Sequence, residues 1–355
     1  MVELSVEIPT YNEANNIGRL IENLENLGID MEIIVIDDNS PDGTASIAEK
    51  LSEEYGNIKV LRRPGKLGLT TAIHDGMKVA SGEYIAVMDG DLQHPPSALP
   101  LLLRKAHEGN DLVIASRYVK AGKVERFSLY RRIVSRAATF LAHAMLRETR
   151  NIKDPLSGYF VFRRSAVSPD SIKSDGYKVL LEILVKGGKK RIAEIPYTFK
   201  PRESGRSKLG FQENLKYLRL LLMLSEYRPL KFVAVGISGV LVNEGLLFLF
   251  HNLSAFSSAL SSLPLLYAGS LAIELSILSN FTLNNMWTFS KVSRGRLILK
   301  VLKYNAVAAP GAIINLLTLL NLAFLFHYLI ANLIGIVLAF IVNYLGSEFF
   351  VWVKR

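Results

Sequence analysis

The chain has 355 residues, 50% of them hydrophobic, no cysteine and a formal net charge of +10. Only eight of its 42 Lys and Arg lie beyond Pro229, together with three acids, Glu244, Glu274 and Glu348, so the last third is nearly charge-free over long runs. This excludes a wholly soluble protein, a disordered chain, a disulfide-stapled secreted domain, and any cysteine-based zinc site or thiol nucleophile.

Met1 is followed by a charged, strand-like segment rather than an apolar run, so no signal peptide is expected and the N-terminal part should stay in the cytoplasm. Short apolar runs at 4–8, 33–37, 58–61, 84–88 and 112–115 read as buried strands. Helical patterns at 14–27, 44–54, 69–80 and 96–107 alternate with them, the second opening after the turn signal Ser40-Pro41-Asp42-Gly43. Strands separated by helices of this length predict βαβ units and a mostly parallel sheet, whose ligands bind at the carboxyl ends of the strands. No Rossmann G-x-G-x-x-G follows the first strand and no P-loop motif occurs, which disfavours a dinucleotide fold and a P-loop NTPase.

The polar residues cluster at the expected strand ends. Tyr11 offers a ring for base stacking and Glu13 an acceptor; Asp38 ends the second strand, where a carboxylate can accept from a base or ribose hydroxyl or cap the following loop. Asp89 and Asp91 follow the fourth strand, one small residue apart. An i, i+2 pair on extended chain points to one side, and two hard oxygen donors suit Mg²⁺ or Mn²⁺. His94 stands between a further ligand and a hydrogen-bonding neighbour.

Two basic amphipathic stretches, 128–147 and 214–224, suit helices lying in a lipid headgroup plane or packed in the core. Beyond them, four windows are long and apolar enough to cross a bilayer: 232–250, 263–283, 304–326 and 328–347. Every second connection between them is basic, which places both termini in the cytoplasm. Glu244 and Glu274 fall inside spans and are expected to pair between helices with Asn243, Asn280 or Asn284, or to be functional. The expected division is a cytoplasmic domain over 1–228 and a four-helix membrane domain over 229–355.

The motifs Pro9-Thr10-Tyr11-Asn12-Glu13, Asp37-Asp38-Asn39-Ser40-Pro41-Asp42-Gly43-Thr44, Met88-Asp89-Gly90-Asp91-Leu92-Gln93-His94-Pro95 and Arg202-Glu203-Ser204-Gly205-Arg206-Ser207-Lys208 carry a resemblance. The chain resembles the inverting GT-A glycosyltransferases of the dolichol-phosphate mannose synthase family over about its first 215 residues. Its remainder looks like the four-span domains that accompany such transferases. The resemblance implies a GT-A α/β domain followed by an α-helical transmembrane bundle. It implies transfer of mannose from GDP-mannose to dolichyl (polyprenyl) phosphate with inversion. It further implies that Pro9, Tyr11, Glu13, Ile36 and Asp38 hold the nucleoside. Asp89, Asp91 and Gln93 would surround the metal and diphosphate, with Lys178, Arg202 and Lys208 on the diphosphate.

With such a donor, Arg117, Arg131 and Ser135 are candidates for the acceptor phosphate; the last two are four apart on one helix face. A lipid phosphate is already largely anionic, so no dedicated base is needed, and Asp154 reads as a loop-building residue instead. Rival readings are a UDP-glucose-dependent polyprenyl-phosphate glucosyltransferase, a processive synthase, and a lipid-linked-sugar flippase or scaffold. The expected partners are membrane lipids and the two substrates, with no nucleic acid, in a monomer.

Overall fold

The computed structural model describes residues 2–125, 128–172, 178–188, 190–201, 211–252, 264–292, 295–322 and 324–353. The chain divides into two compact units, Met1–Leu224 and Ser225–Arg355.

The first unit opens with β1 (Leu4–Thr10), α1 (Ala14–Glu25), β2 (Met31–Asp37), α2 (Thr44–Tyr55), β3 (Ile58–Arg62), α3 (Leu69–Val79), β4 (Tyr84–Val87), α4 (Leu99–His107) and β5 (Leu112–Ser116). It continues with β6 (Lys123–Val124), α5 (Leu129–Met145), β7 (Phe160–Arg163), α6 (Val179–Lys186), β8 (Ile192–Pro196), β9 (Thr198–Phe199) and α7 (Phe211–Leu224). The main sheet has the order β3-β2-β1-β4-β7-β5-β8, and β6 pairs with β9 apart from it. All neighbours in the main sheet are parallel except β7, which runs antiparallel to both β4 and β5.

Side chains alternate across each strand, and both faces are covered, so the strands read as continuous apolar runs. Val6, Ile8, Ile33, Val35 and Ala86 pack with Ile17, Leu20 and Ile21 of α1 and with Leu99 and Leu102 of α4. Ile34, Ile36, Ile85, Val87 and Ile114 pack on the other face with Ile73 and Met77 of α3 and Leu180 and Ile183 of α6. Glu7 breaks the pattern. It is fully buried against α3, where Gly76 leaves room for its carboxyl, and burial pushes its pKa well up.

The sheet order reverses between β1 and β4. Connections from β1 step one way through β2 to β3, and the chain then returns to the other side of β1. In open α/β sheets this switch point, at the carboxyl edge, is where ligands bind. Because β7 is antiparallel, the loop 154–159 that precedes it reaches the same edge.

The second unit holds α8 (Arg228–Asn252), α9 (Pro264–Leu283), α10 (Leu297–Leu322) and α11 (Tyr328–Gly346). Among the described residues, Arg228–Phe250, Leu297–Leu322 and Leu333–Val351 are long and apolar enough to cross a membrane. The window expected at 263–283 is helical as α9. The window expected from 304 begins earlier, at Leu297, because apolar residues precede Lys300 and Lys303 on the same helix. Glu244 and Glu274 sit at exposed positions. Glu244 accepts from Asn243, its neighbour on the same helix, at 3.4 Å, and not from an asparagine across the bundle as expected. Asn284 is instead turned to the Tyr304 hydroxyl at 3.1 Å.

Candidate active site

Among the described residues, the loops after β1, β2, β4 and β5 each hold a non-glycine residue in the left-handed region: Asn12, Asn39, Leu92 and Ala121. Such conformations cost roughly 1 kcal/mol or more and concentrate at functional sites.

The loop after β2 is held from within. Asp37 accepts from the Thr10 hydroxyl (2.9 Å), the Ser40 amide (2.8 Å) and the Ser40 hydroxyl (2.6 Å). Asp42 accepts from the Ala14 amide (3.0 Å) and from Thr44, so one carboxylate serves the starts of α1 and α2, and these bonds lower its pKa despite partial burial. The Asp38 carboxylate is already engaged. It is buried, takes the Arg63 guanidinium and accepts from the Gly68 amide at 2.9 Å. Sequence reading offered a base or ribose hydroxyl, or a cap on the following loop, and missed Arg63. Its signal was the second Arg of the pair Arg62-Arg63 at the end of β3, on the same sheet edge.

Ile36 is fully buried in the core, so only its backbone faces the ligand edge, in register with Pro9. Tyr11 is partly exposed, with the Lys66 ammonium 4.3 Å from its ring centre. Glu13 receives the Asn16 amide at 2.8 Å.

After β4 the chain turns at once. Strand β4 ends at Val87 and Gly90-Asp91 form a turn, so the two carboxylates are not carried on extended chain as the spacing suggested. The cause is local: Asp91, buried, accepts from the Gln93 amide at 3.1 Å, an Asx-type contact that closes the turn. The Asp89 side chain is 40% exposed. His94 fixes it from behind. The buried imidazole accepts the Asp89 backbone N–H on Nδ1 at 3.0 Å and stacks on Tyr159 at 5.2 Å. Burial pushes the His94 pKa down, which keeps Nδ1 free to accept. Gly158 closes the other side. A Cβ there would lie 3.1 Å from His94 Cε1 and 3.3 Å from Asp89 Oδ2.

The Gln93 side chain is bonded to the backbone beyond β9. Its Nε2 donates to the Lys200 carbonyl at 2.9 Å, and the Lys200 amide donates to the Gln93 carbonyl at 3.1 Å. Arg202 and Lys208 lie outside the described residues. Lys178, just ahead of α6, donates to the Leu156 carbonyl at 3.2 Å. Burial and then the nearby Arg117 bring its pKa down to about 8, against the pull of Asp89 and Asp154.

Arg117 is committed to a partner. Its backbone N–H and Nε both donate to Asp154 Oδ2, at 2.9 and 2.7 Å, and Nη2 donates to Oδ1 at 2.7 Å. Asp154 is fully buried, and the pair raises the Arg117 pKa although burial opposes it. The next residue, Tyr118, bonds Ser135 at 2.8 Å, which ties this strand end to α5. Arg131 is half-buried one turn earlier on α5, where its amide bonds the Ser128 cap at 3.3 Å. Arg117, Tyr118 and Ser135 thus form one chain of contacts, with Arg131 beside it.

Helices α5 and α7 pack together through Ala142, Met145, Tyr217, Leu220 and Leu221, and the Tyr217 hydroxyl donates to the Ala138 carbonyl at 2.6 Å. Their other faces expose Leu129, Tyr130, Ile133, Phe140, Leu215 and Leu218 among basic residues. One face of the pair is thus core, as one of the two expectations had it, and the other face is open and apolar.

Residues 5–169 match the model of glycosyl transferase family 2, and residues 231–352 match the GtrA/DPMS transmembrane domain. A dolichol-phosphate mannosyltransferase of Pyrococcus furiosus is 43% identical over 99% of both chains. The chain belongs to the dolichol-phosphate mannosyltransferase family. Within it, the Saccharomyces cerevisiae enzyme is 32% identical, covering 62% of this chain and 86% of its own. The family membership makes this chain a glycosyltransferase with a transmembrane domain. The fold is also that of the glucosyl-3-phosphoglycerate synthase of Mycobacterium tuberculosis, solved with Mn²⁺, UDP-glucose and phosphoglyceric acid. The TM-score is 0.50 at 21% identity, over 63% of this chain and 80% of that one.

Proposed function

We propose that the protein transfers mannose from GDP-mannose to a polyprenyl phosphate, giving the β-linked mannosyl phosphate lipid and GDP. The observation that carries this reading is the 43% identity to the Pyrococcus furiosus enzyme across both units. The site chemistry supports it. The half-exposed Asp89 and the buried Asp91 stand at the sheet's switch point, and the missing Cβ of Gly158 leaves room beside Asp89. Among the described residues no group of three or more His, Asp or Glu could hold a metal. A two-carboxylate site suits Mg²⁺ or Mn²⁺ completed by donor phosphates and water. Asp89 and Asp91 would hold that ion, which would supply positive charge against the charge developing on the departing GDP.

The chain's own residues do the rest. Tyr11 and the ends of β1 and β2 border the nucleoside, and Lys178 faces the diphosphate. The bond between the anomeric carbon and the diphosphate oxygen breaks as a lipid phosphate oxygen bonds the opposite face of that carbon. That oxygen is already anionic, so no proton leaves and no protein base is needed. This accounts for a site whose buried Asp154 is spent on Arg117. Arg131 and Ser135 hold the acceptor phosphate, while Arg117 positions the loop that carries Tyr118. The open apolar faces of α5 and α7 meet the lipid, and both termini lie in the cytoplasm.

The test is a donor screen with the purified full chain, a short polyprenyl phosphate and Mg²⁺ or Mn²⁺. GDP-mannose should yield lipid-extractable sugar. Preference for UDP-glucose would replace the mannose reading.

A further inference from the structure

The helical unit is built from two copies of one design. Aligning Lys231 with Lys303 pairs Phe232 with Tyr304, Gly239 with Gly311 and Asn243 with Asn315. In the second helix of each hairpin Asn280 pairs with Asn343 and Phe281 with Tyr344. The structure repeats with the sequence. Both second helices end in a π-helical turn, at Asn284–Thr288 and Ser347–Val351, the same distance beyond the paired asparagines. Asn280 packs against Gly239, and Asn343 packs against Gly311, each pressed where a Cβ would sit.

Contacts between the halves are reciprocal as well. Phe232 meets Tyr344 at 5.6 Å, and its counterpart Tyr304 meets Phe281, the counterpart of Tyr344, at 5.7 Å. The equivalent residues Phe289 and Trp352 stack on each other at 4.2 Å and 11°. A residue that touches its own counterpart marks the axis of a two-fold relation. Both hairpins start at the same end, so that axis runs along the helices.

A cavity of about 530 Å³ opens at this repeat interface, among Phe232, Val240, Asn280, Tyr304, Asn315 and Asn343. Its volume is that of a small-molecule site, ~300–1,000 Å³. The Oδ1 atoms of Asn280, Asn315 and Asn343 are buried and accept no hydrogen bond among the described residues. A buried amide oxygen without a donor is costly, and three converging on one cavity call for a ligand with several donors. Among the described residues no charged side chain lines the cavity. Phosphate takes cations and forked donors, whereas neutral amides and a tyrosine hydroxyl suit hydroxyls. Ser347 adds a buried hydroxyl, and the other described lining residues are apolar.

We propose that the helical unit binds the sugar of a lipid-linked monosaccharide in this cavity, with the amides of Asn280, Asn315 and Asn343 on its hydroxyls. The cavity chemistry stands by itself; that the sugar comes from the chain's own mannosyl phosphate product rests on the function proposed above.

The experiment is photolabelling of the full chain in lipid nanodiscs with a mannosyl phosphoryl isoprenoid carrying a diazirine on the sugar. No GDP-mannose is added, so the readout does not depend on turnover. Labelled peptides, read by mass spectrometry, should include the cavity-lining parts of α8, α10 and α11. The label there should fall at least tenfold in the Asn315→Leu, Asn343→Leu double variant. On the unmodified protein, excess mannosyl phosphoryl lipid should compete and sugar-free polyprenyl phosphate should not, which decides the matter even if the variant does not fold. Competition by the glucosyl lipid alone would support the cavity and overturn mannose as its source. Labelling confined to 1–224, or equal competition by the sugar-free lipid, would overturn the proposal.

Discussion

Gln93 and Lys200, 107 residues apart, exchange two hydrogen bonds: side-chain amide to carbonyl at 2.9 Å and backbone amide to carbonyl at 3.1 Å. The loop that carries Asp89 and Asp91 is thereby clasped to the backbone two residues before Arg202. Gln93→Leu keeps the volume and removes the side-chain bond, a net loss of ~0.5–1.5 kcal/mol. The expected outcome is a donor KM raised about tenfold with a smaller change in acceptor KM, measured by initial rates. A change confined to the acceptor would contradict the clasp.

Asp91→Ala should remove most activity with the fold intact, because one carboxylate is lost from the cation and the turn loses its Asx contact. Excess EDTA should do the same to the unmodified enzyme, with recovery on adding Mn²⁺ or Mg²⁺. Full turnover in EDTA would end the metal assignment.

Lys178 has its pKa brought down to about 8. Its charged form exists below that value, so its help to the diphosphate fades as pH rises through it. Donor KM should therefore climb above about pH 8. Lys178→Gln should start ~10–100-fold higher at pH 7, as expected for a lost charge-assisted contact of ~1.5–3 kcal/mol, and show no such climb. Parallel profiles for the two proteins would remove Lys178 from the donor site.

Arg117 and Arg131 should separate cleanly. Breaking the buried Arg117–Asp154 pair leaves an uncompensated charge at ~3–5 kcal/mol. Arg117→Ala should thus lower the melting temperature along with all activity. Arg131→Ala should leave melting nearly unchanged, weaken acceptor use by ten- to a hundred-fold and spare GDP-mannose affinity by calorimetry. Loss of nucleotide affinity instead would place Arg131 in the donor site.

Glu7 has a folded pKa well above its ordinary value, so unfolding releases a proton once pH exceeds about 4.5. Stability falls from there toward the folded pKa. Glu7→Met keeps the length and removes the buried carboxyl. It should raise the melting temperature by several degrees at pH 8 and by less at pH 4.5. An equal gain at both values would locate the effect in packing.

The alternation of strands and helices was legible because parallel strands buried on both faces are unbroken apolar runs, as in Ile33-Ile34-Val35-Ile36. Strand β7 was not, since four residues flanked by a loop and a turn carry little period. Asp89 and Asp91 were legible as carboxylates at a strand end. The engagement of Asp38 by Arg63, 25 positions on, and of Arg117 by Asp154, 37 positions on, was not. Sequence shows a charge and conceals its partner when the fold brings them together from afar. Gly158 was invisible for the same reason. Its value lies in the absence of a Cβ beside Asp89.

The central claim is direct, inverting attack by a lipid phosphate on the donor sugar. The measurement is the anomeric configuration of the isolated lipid product by NMR, after reaction of the full chain with GDP-mannose and polyprenyl phosphate. The account predicts a β-mannosyl phosphate with the phosphorus signal coupled to the anomeric proton. An α-linked product, or mannose trapped on the protein, would contradict it.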